Sequence, residues 1–514
     1  MAVFNEGYVV DVQYMRTFFK ELAPAWLDYV CLINGAEPPP GSMLGQGVGA
    51  GFAYCDLGCG PGVTTNLLAA ANPAGEFHGI DFNPQHIAFA RKIASEGAVR
   101  NVQFHETNFE DALKRQWPQF DYIVLHGVYS WISPRNKANV LQFVQRNLKA
   151  GGVLYVSYNT MPGWAALSPF QNFTQEFGSK IQGDSLKKVR DAVGFFQSLK
   201  DANAQVFAAN ANLATHLEGI DRNAPEYLAH EYLNQDWRPI YCTEMMKDAA
   251  GAGLAFVGSA TLIDNHWAYI LTEAMREQVV KLPTRDLREL VKDYCTNQGF
   301  RRDVFIRGGQ ALTPQGREAA LQRMSFALEL PAPRVQLKAR VPVGQIAYDN
   351  EFTQAIVAAL SDSPKPLREI VALPALAGKD VGDVIKNLQV LCVAGQVRPV
   401  AMPDMAARES TKGLSKAIRT RAIGPEQIGH LPSPYGTAFA VNGIDQFLID
   451  VPANTAETEA AQSIYSKLDP ARQKIVMQGK PIDEPSVAIN RITEQFRDFR
   501  QFRAPWLKGL GVIN

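Results

Sequence analysis

Residues 54–62, Tyr54-Cys55-Asp56-Leu57-Gly58-Cys59-Gly60-Pro61-Gly62, form an apolar run that breaks into a glycine-rich turn. Glycines at 58, 60 and 62 admit left-handed backbone and let the chain pass close to a ligand where a Cβ would clash. A second apolar run, Phe77-His78-Gly79-Ile80-Asp81-Phe82-Asn83, carries Asp81 at the end of its apolar part, 25 residues after Asp56. An acidic side chain at the carboxyl end of a strand can accept both hydroxyls of a ribose. Spacing then separates the nucleotide cofactors. The dinucleotide pattern G-x-G-x-x-G brings a helix N-terminus to a pyrophosphate, but its third glycine would fall on Val63. The pattern here is acidic-x-G-x-G-x-G.

That pattern resembles motif I of the class I S-adenosylmethionine (SAM) methyltransferases, whose loop cradles the amino-acid end of the cofactor. The resemblance implies SAM as cofactor, held by Asp56, Gly58, Cys59, Gly60 and Gly62, with Asp81 and Phe82 at the ribose. Val102-Gln103-Phe104-His105 reads as a third strand running into Thr107-Asn108-Phe109. In this class that corner meets adenine, often through an aspartate; Asn108 stands in its place and offers a donor and an acceptor. Phe120–Leu125 and Gly152–Tyr158 read as fourth and fifth strands, and 84–95 and 136–149 as helices. Strands alternating with helices imply an α/β fold, a Rossmann-like parallel sheet covered on both faces. Ligands bind beyond the carboxyl ends of such strands, so the turns at 58–62, 81–83, 108–109, 126–131 and 158–164 are expected on one rim.

The chain has 514 residues, and at ~150 residues per domain this suggests three or four units. Lys+Arg and Asp+Glu both total 51, leaving no global electrostatic footprint for nucleic acid or an anionic membrane. The Asn/Asp-Pro-Pro-aromatic motif of nucleic-acid amino-methyltransferases is also absent after the fourth strand. No nucleic-acid partner is therefore expected. No run approaches ~18 apolar residues and the N-terminus has no basic n-region, so the expectation is a cytoplasmic protein without membrane insertion. The six cysteines form no C-x-x-C pair, and neither a disulfide framework nor a metal site is expected.

Along the chain, 1–50 reads as a helical N-terminal lid or lead-in, with Tyr14, Phe18, Leu22, Trp26 and Val30 at helical spacing and a flexible Gly-rich joint at 41–51. The SAM-binding domain follows at 51–165. A polar, alanine-rich helical insertion occupies 166–235, and 236–310 completes the sheet. The closing antiparallel strand falls at Arg302–Arg307 or, less favoured, at Trp267–Thr272. Three helical pieces and a strand in 335–405 suggest a winged-helix-like unit. Its third helix carries only Lys386 as a basic residue, which favours packing or dimerisation over DNA, because phosphate neutralisation needs several cations. A mixed extension, 406–514, ends in a helix interleaving Phe496, Phe499 and Phe502 with Arg497, Arg500 and Arg503; a buried helix face is favoured there over single-stranded nucleic acid.

Methyl transfer from a sulfonium is an in-line displacement whose acceleration comes mostly from positioning. The side chains expected to position the acceptor are His126, Tyr129, Trp131 and Tyr158, in His126-Gly127-Val128-Tyr129-Ser130-Trp131 and Tyr158-Asn159-Thr160-Met161-Pro162-Gly163-Trp164. Aromatic faces attract ammonium groups and histidine accepts protons. The alternative is that Trp131 and Trp164 are core aromatics and His126 a satisfied, partly buried histidine. Together with His230-Glu231-Tyr232-Leu233 and Phe300-Arg301-Arg302, these stretches resemble the bacterial methyltransferases that carry a methyltransferase regulatory domain, a family that includes rickettsial protein-lysine methyltransferases acting on outer-membrane surface proteins. The resemblance implies a protein side chain, lysine first, as acceptor. A glycan, lipid-linked or secondary-metabolite acceptor, and a SAM-binding regulatory protein without turnover, are the other readings. A homodimer is among the expected partners.

Overall fold

Successive residues of β1 (Ala53–Leu57) point to opposite cores. Tyr54 packs with Phe77 and Tyr122 on one face, and Cys55 and Leu57 pack with Ile80 and Ile123 on the other. Apolar side chains on both faces require both to be covered, which parallel strands joined by crossover helices achieve. The computed structural model describes residues 7–513 apart from 13, 43–50, 404, 425, 453, 469–475, 478, 479 and 483. Most of the joint expected at 41–51 lies outside the described residues.

The other strands of the main sheet are β2 (Glu76–Asp81), β3 (Val102–Glu106), β4 (Phe120–Leu125), β5 (Leu148–Asn159), β6 (Leu254–Ser259) and β7 (Phe300–Arg307). Their order is β3-β2-β1-β4-β5-β7-β6. The first five run parallel, and β7 lies antiparallel between β5 and β6. This is the Rossmann-like sheet that the alternation of strands and helices implies. The closing antiparallel strand falls where Arg302–Arg307 was preferred, whereas Trp267–Ile270 is a short helix. Helices Pro24–Ile33, Val63–Ala71 and Pro84–Glu96 cover one face; Pro134–Asn147 and Cys242–Gly251 cover the other.

The N-terminal lead-in departs from expectation. Helical spacing includes Tyr14 and Phe18, yet 14–19 forms no helix and the first full helix starts at Pro24. Ala23 is held extended (φ −66°, ψ 135°) because a residue before proline is pushed out of the α region. Segment 166–235 is helical with no strand, from Ser168–Lys180 to Pro225–Tyr232, and builds its own core around Phe170, Phe196, Leu213 and Tyr232.

In the C-terminal half, Ser325–Leu328 pairs with Lys365–Pro366 and Val397–Val400. Helices Glu351–Ala359, Leu367–Val371 and Val381–Val393 stand where three helical pieces were read. Helix Met405–Arg419 packs on Val63–Ala71 and Pro84–Glu96, close enough that a Cβ on Gly413 would lie 2.5 Å from the Gly97 carbonyl oxygen. Lys20–Glu329 (2.8 Å) and Lys92–Glu426 (3.0 Å) cross the same junction. In the last helical stretch Phe496 and Phe499 are buried, while Arg497 and Arg503 pair with Glu457 and Asp445, as a packed face requires.

Behind β7 lies a buried ion network. Arg301 bonds Asp303 (3.0 Å), Asp293 (2.6 Å) and Glu289 (2.9 Å), and Lys292 bonds Glu289. All five side chains are buried. Removing the central cation leaves Asp293 and Asp303 buried without a charged partner, while Glu289 keeps Lys292, and breaking a buried pair in this way costs about 3–5 kcal/mol. Arg301→Met should therefore lower the urea midpoint strongly. A variant as stable as wild type would show that the network does not hold helix Arg285–Thr296 to β7.

Candidate active site

The carboxyl ends of β1, β2, β3 and β4 open onto one cleft. Asp56, Gly58, Cys59 and Gly60 enter it from β1, Asp81 and Phe82 from β2, Thr107, Asn108 and Phe109 from β3, and His126 and Trp131 from β4. The loop glycines divide their work. All three have positive φ (80°, 54° and 65°), but only Gly58 and Gly60 line the cleft. Gly62 instead lets helix Val63–Ala71 pack, since a Cβ there would meet Ala90 and Phe104 at 2.6 and 2.7 Å.

Asp81 organises the rim. Its Oδ2 accepts from the Gly60 N–H (2.9 Å), its Oδ1 from the Asn83 N–H (2.8 Å), and His86 Nδ1 lies 3.3 Å from Oδ1. Asp56 accepts from the Thr65 hydroxyl (2.6 Å). Burial pushes the Asp56 carboxyl up to about 7; the Thr65 bond opposes this and the nearby Asp81 adds to it. Asn108 caps helix Phe109–Ala112 by accepting from the Asp111 N–H (2.8 Å), which fixes its amide at the corner where adenine is expected.

His126 Nδ1 lies 2.8 Å from the Tyr155 hydroxyl and 3.2 Å from Ser157 Oγ, with the Phe19 ring 3.8 Å from its own. Burial, reinforced by Arg302, pushes its pKa down to about 3. The imidazole is thus neutral at ordinary pH and a weak proton acceptor. Two expected acceptor residues lie elsewhere. Tyr129 and Tyr158 do not line the cleft: both are buried in the opposite core, donating to Asp248 (2.8 Å) and Asp303 (2.6 Å). The turn at 158–164 also leaves the rim. Thr160 and Gly163 donate to the Gly299 and Gln298 carbonyls, drawing that turn toward β7.

The remaining wall comes from the N-terminal segment, which the sequence reading gives as a helical lid or lead-in without naming the side chains that line the site. Tyr8, Tyr14, Met15, Thr17 and Phe19 line the cleft opposite the glycine loop. Behind them Glu231 accepts from Asn159 Nδ2 (2.7 Å) and Trp237 Nε1 (3.3 Å). His230 packs against the rings of Tyr8 and Tyr14 at 5.7 and 5.1 Å. The sequence signals only an aromatic-rich start; nothing local shows what those rings cover.

Comparison with known proteins agrees with this geometry. Residues 49–199 match the model of a methyltransferase domain, and residues 224–307 that of a predicted methyltransferase regulatory domain. An uncharacterized protein of Synechocystis sp. is 33% identical over 511 residues, covering 99% of each chain. One from Rickettsia prowazekii is 28% identical over 226 residues, 44% of this chain and 86% of its own length. Among solved structures, PKMT2 from Rickettsia typhi in complex with AdoHcy superposes with a TM-score of 0.69 at 19% identity, over 95% of this chain and 98% of that one. The chain belongs to the class I SAM-dependent methyltransferases that carry a methyltransferase regulatory domain. It is an enzyme that uses SAM. Asp81, Asn108, Phe109 and the glycine loop all line this cleft or its rim, where the sequence reading expects the ribose, adenine and amino-acid end of that cofactor.

Losing a charged acceptor for the ribose costs about 1.5–3 kcal/mol, so Asp81→Ala should weaken SAM roughly tenfold or more by calorimetry. Unchanged affinity would contradict the assignment. A second expectation concerns Glu231, whose carboxyl burial pushes up to about 7 from its usual 4.5. A folded pKa raised above the unfolded one means that the folded state holds the extra proton. The contribution is then complete below about pH 4.5 and lost as pH rises through about 7. Glu231→Gln should remove this loss, so its stability relative to wild type should rise between pH 5 and 8, on the order of 1–3 kcal/mol. A difference independent of pH would contradict it.

Proposed function

We propose that the methyl acceptor is an amine of a protein, lysine first. The observation that carries this is the character of the cleft: its described lining includes six aromatic side chains beside His126 but no Lys or Arg, while its two carboxylates, Asp56 and Asp81, belong to the cofactor end. Aromatic faces favour a cationic acceptor, whereas a carboxylate acceptor would find no cation in this lining to hold it. The likeness of fold to PKMT2 from Rickettsia typhi supports the same reading. Because His126 is a weak base, the amine must lose its proton before transfer, helped by desolvation and by the neighbouring sulfonium. Trp131 would steer the acceptor, and His126 would shape the rim rather than carry the proton. A small-molecule amine is the second reading, favoured by the N-terminal segment across the cleft.

The remaining parts fit an enzyme acting on protein. Helix Val381–Val393 has its one lysine, Lys386, paired with Asp383, which suits packing within the winged-helix-like unit rather than phosphate contact. Phe195 is 47% exposed and stacks on Phe173 and Phe177, the kind of face a second copy would cover in a homodimer. Among the described residues no helix is long and apolar enough to cross a membrane, and we place the enzyme in the cytoplasm.

Mass spectrometry of cell extract incubated with the enzyme and methyl-deuterated SAM should find the label on protein lysines. With a purified acceptor, turnover should rise between pH 7 and about 9.5, because only about one free lysine in two thousand is neutral at pH 7. Label confined to small molecules would overturn the protein reading, and a flat profile would overturn an unactivated amine.

A further inference from the structure

We propose that residues 7–12 and 14–19 form a strap that must lift for the cofactor to enter or leave, and that Asn234 and His230 of the regulatory segment set how often it lifts. The inference concerns the cofactor and does not depend on which acceptor is used. The strap crosses the mouth of the cleft opposite the glycine loop, with Tyr8, Tyr14 and Phe19 facing the space that the cofactor fills. It contains no helix and no strand, so it has no ladder of its own.

Its backbone groups are taken up by other elements at two places. At the regulatory end, the Val9 N–H donates to Asn234 Oδ1 (2.8 Å), the Gln235 N–H donates to the Gly7 carbonyl (2.9 Å), and His230 Nε2 meets the Val12 carbonyl (3.1 Å). Asn234 is itself fully buried and fixed by donating to the His230 carbonyl, so these anchors move as one. At the cofactor end, the Phe19 N–H donates to Thr64 Oγ1 (3.2 Å), beside the first turn after the glycine loop. Asp11 adds an exposed clamp to the helical insertion, accepting from the Ser185 N–H (2.9 Å) and hydroxyl (2.7 Å). Opening must also uncover Val9 and Val12, buried in the core of the insertion, and Phe18, buried in the main core; a segment with no ladder of its own can do so locally without unfolding the rest.

This arrangement assigns a physical role to the regulatory segment. Asn234 and His230 act as positioning residues: they hold the strap, and the strap holds Tyr8 and Tyr14 over the cofactor. Anything that shifts helix Pro225–Tyr232 or the turn after it would change cofactor exchange without touching the cleft.

The test is the exchange kinetics of S-adenosylhomocysteine on the full chain by stopped-flow. Asp11→Ala removes only the exposed clamp, and Asn234→Ala removes the buried one. A strap that must open in both directions predicts that each variant raises the association and dissociation rates together, by roughly two- to tenfold, with a smaller change in Kd. A rise in dissociation alone would mean that the strap merely adds contacts to bound cofactor, and unchanged rates would mean that it is no barrier; either result overturns the proposal. Because Asn234→Ala removes a buried amide and its fold is at risk, the second arm is the double variant Asp11→Cys/Ser185→Cys, compared as disulfide and after reduction. The cross-linked form should exchange cofactor more slowly in both directions than the same protein reduced. Equal rates in the two forms would overturn the proposal.

Discussion

The hydrogen bond from the Gly60 N–H to Asp81 Oδ2, at 2.9 Å, joins the turn after β1 to the end of β2. On it rests the shape of the cleft. The bond needs a left-handed residue at the centre of the turn, hence glycine, and an acidic side chain at the end of the neighbouring strand. Parallel pairing then fixes their separation, since Leu57 sits opposite Ile80 in the β1–β2 register. The same carboxylate takes the Asn83 N–H at the start of helix Pro84–Glu96. One side chain thus holds a loop and a helix, and its cleft side remains for the ribose.

Around that junction the cofactor site is closed by parts distant in sequence. The regulatory segment and helical insertion hold the N-terminal segment across the cleft, while the C-terminal half packs on the two helices that follow the glycine loop and Asp81. The cofactor cleft is thus built against both the N-terminal segment and the C-terminal half through packed side chains and a few hydrogen bonds.

What the sequence made legible was local. The glycine turn, Asp81 and the strand at Arg302–Arg307 each announce themselves through adjacent residues, because strand alternation and turn chemistry are short-range. Tyr158 could also have been placed correctly, since it shares parity with Leu154 and Val156, and those side chains face the core away from the cleft. Tyr129 could not: whether a ring after β4 points to the rim or to Asp248 depends on a helix more than a hundred residues later. The strap was misread as helix because Tyr14, Phe18 and Leu22 have helical spacing, yet they serve different neighbours, the cleft for Tyr14 and the main core for Phe18 and Leu22. The restriction that Pro24 places on Ala23 was the contrary signal.

The central claim is that one SAM molecule lies across the ends of β1, β2 and β3 beneath the N-terminal segment. A crystal structure with S-adenosylhomocysteine tests it most directly. The account predicts both ribose hydroxyls on the Asp81 carboxylate, adenine beside Asn108 and Phe109, and the amino-acid end in the glycine loop with Tyr8 or Tyr14 against the ligand. Ligand bound elsewhere, or bound there with Asp81 more than a hydrogen bond away from the ribose, would contradict it.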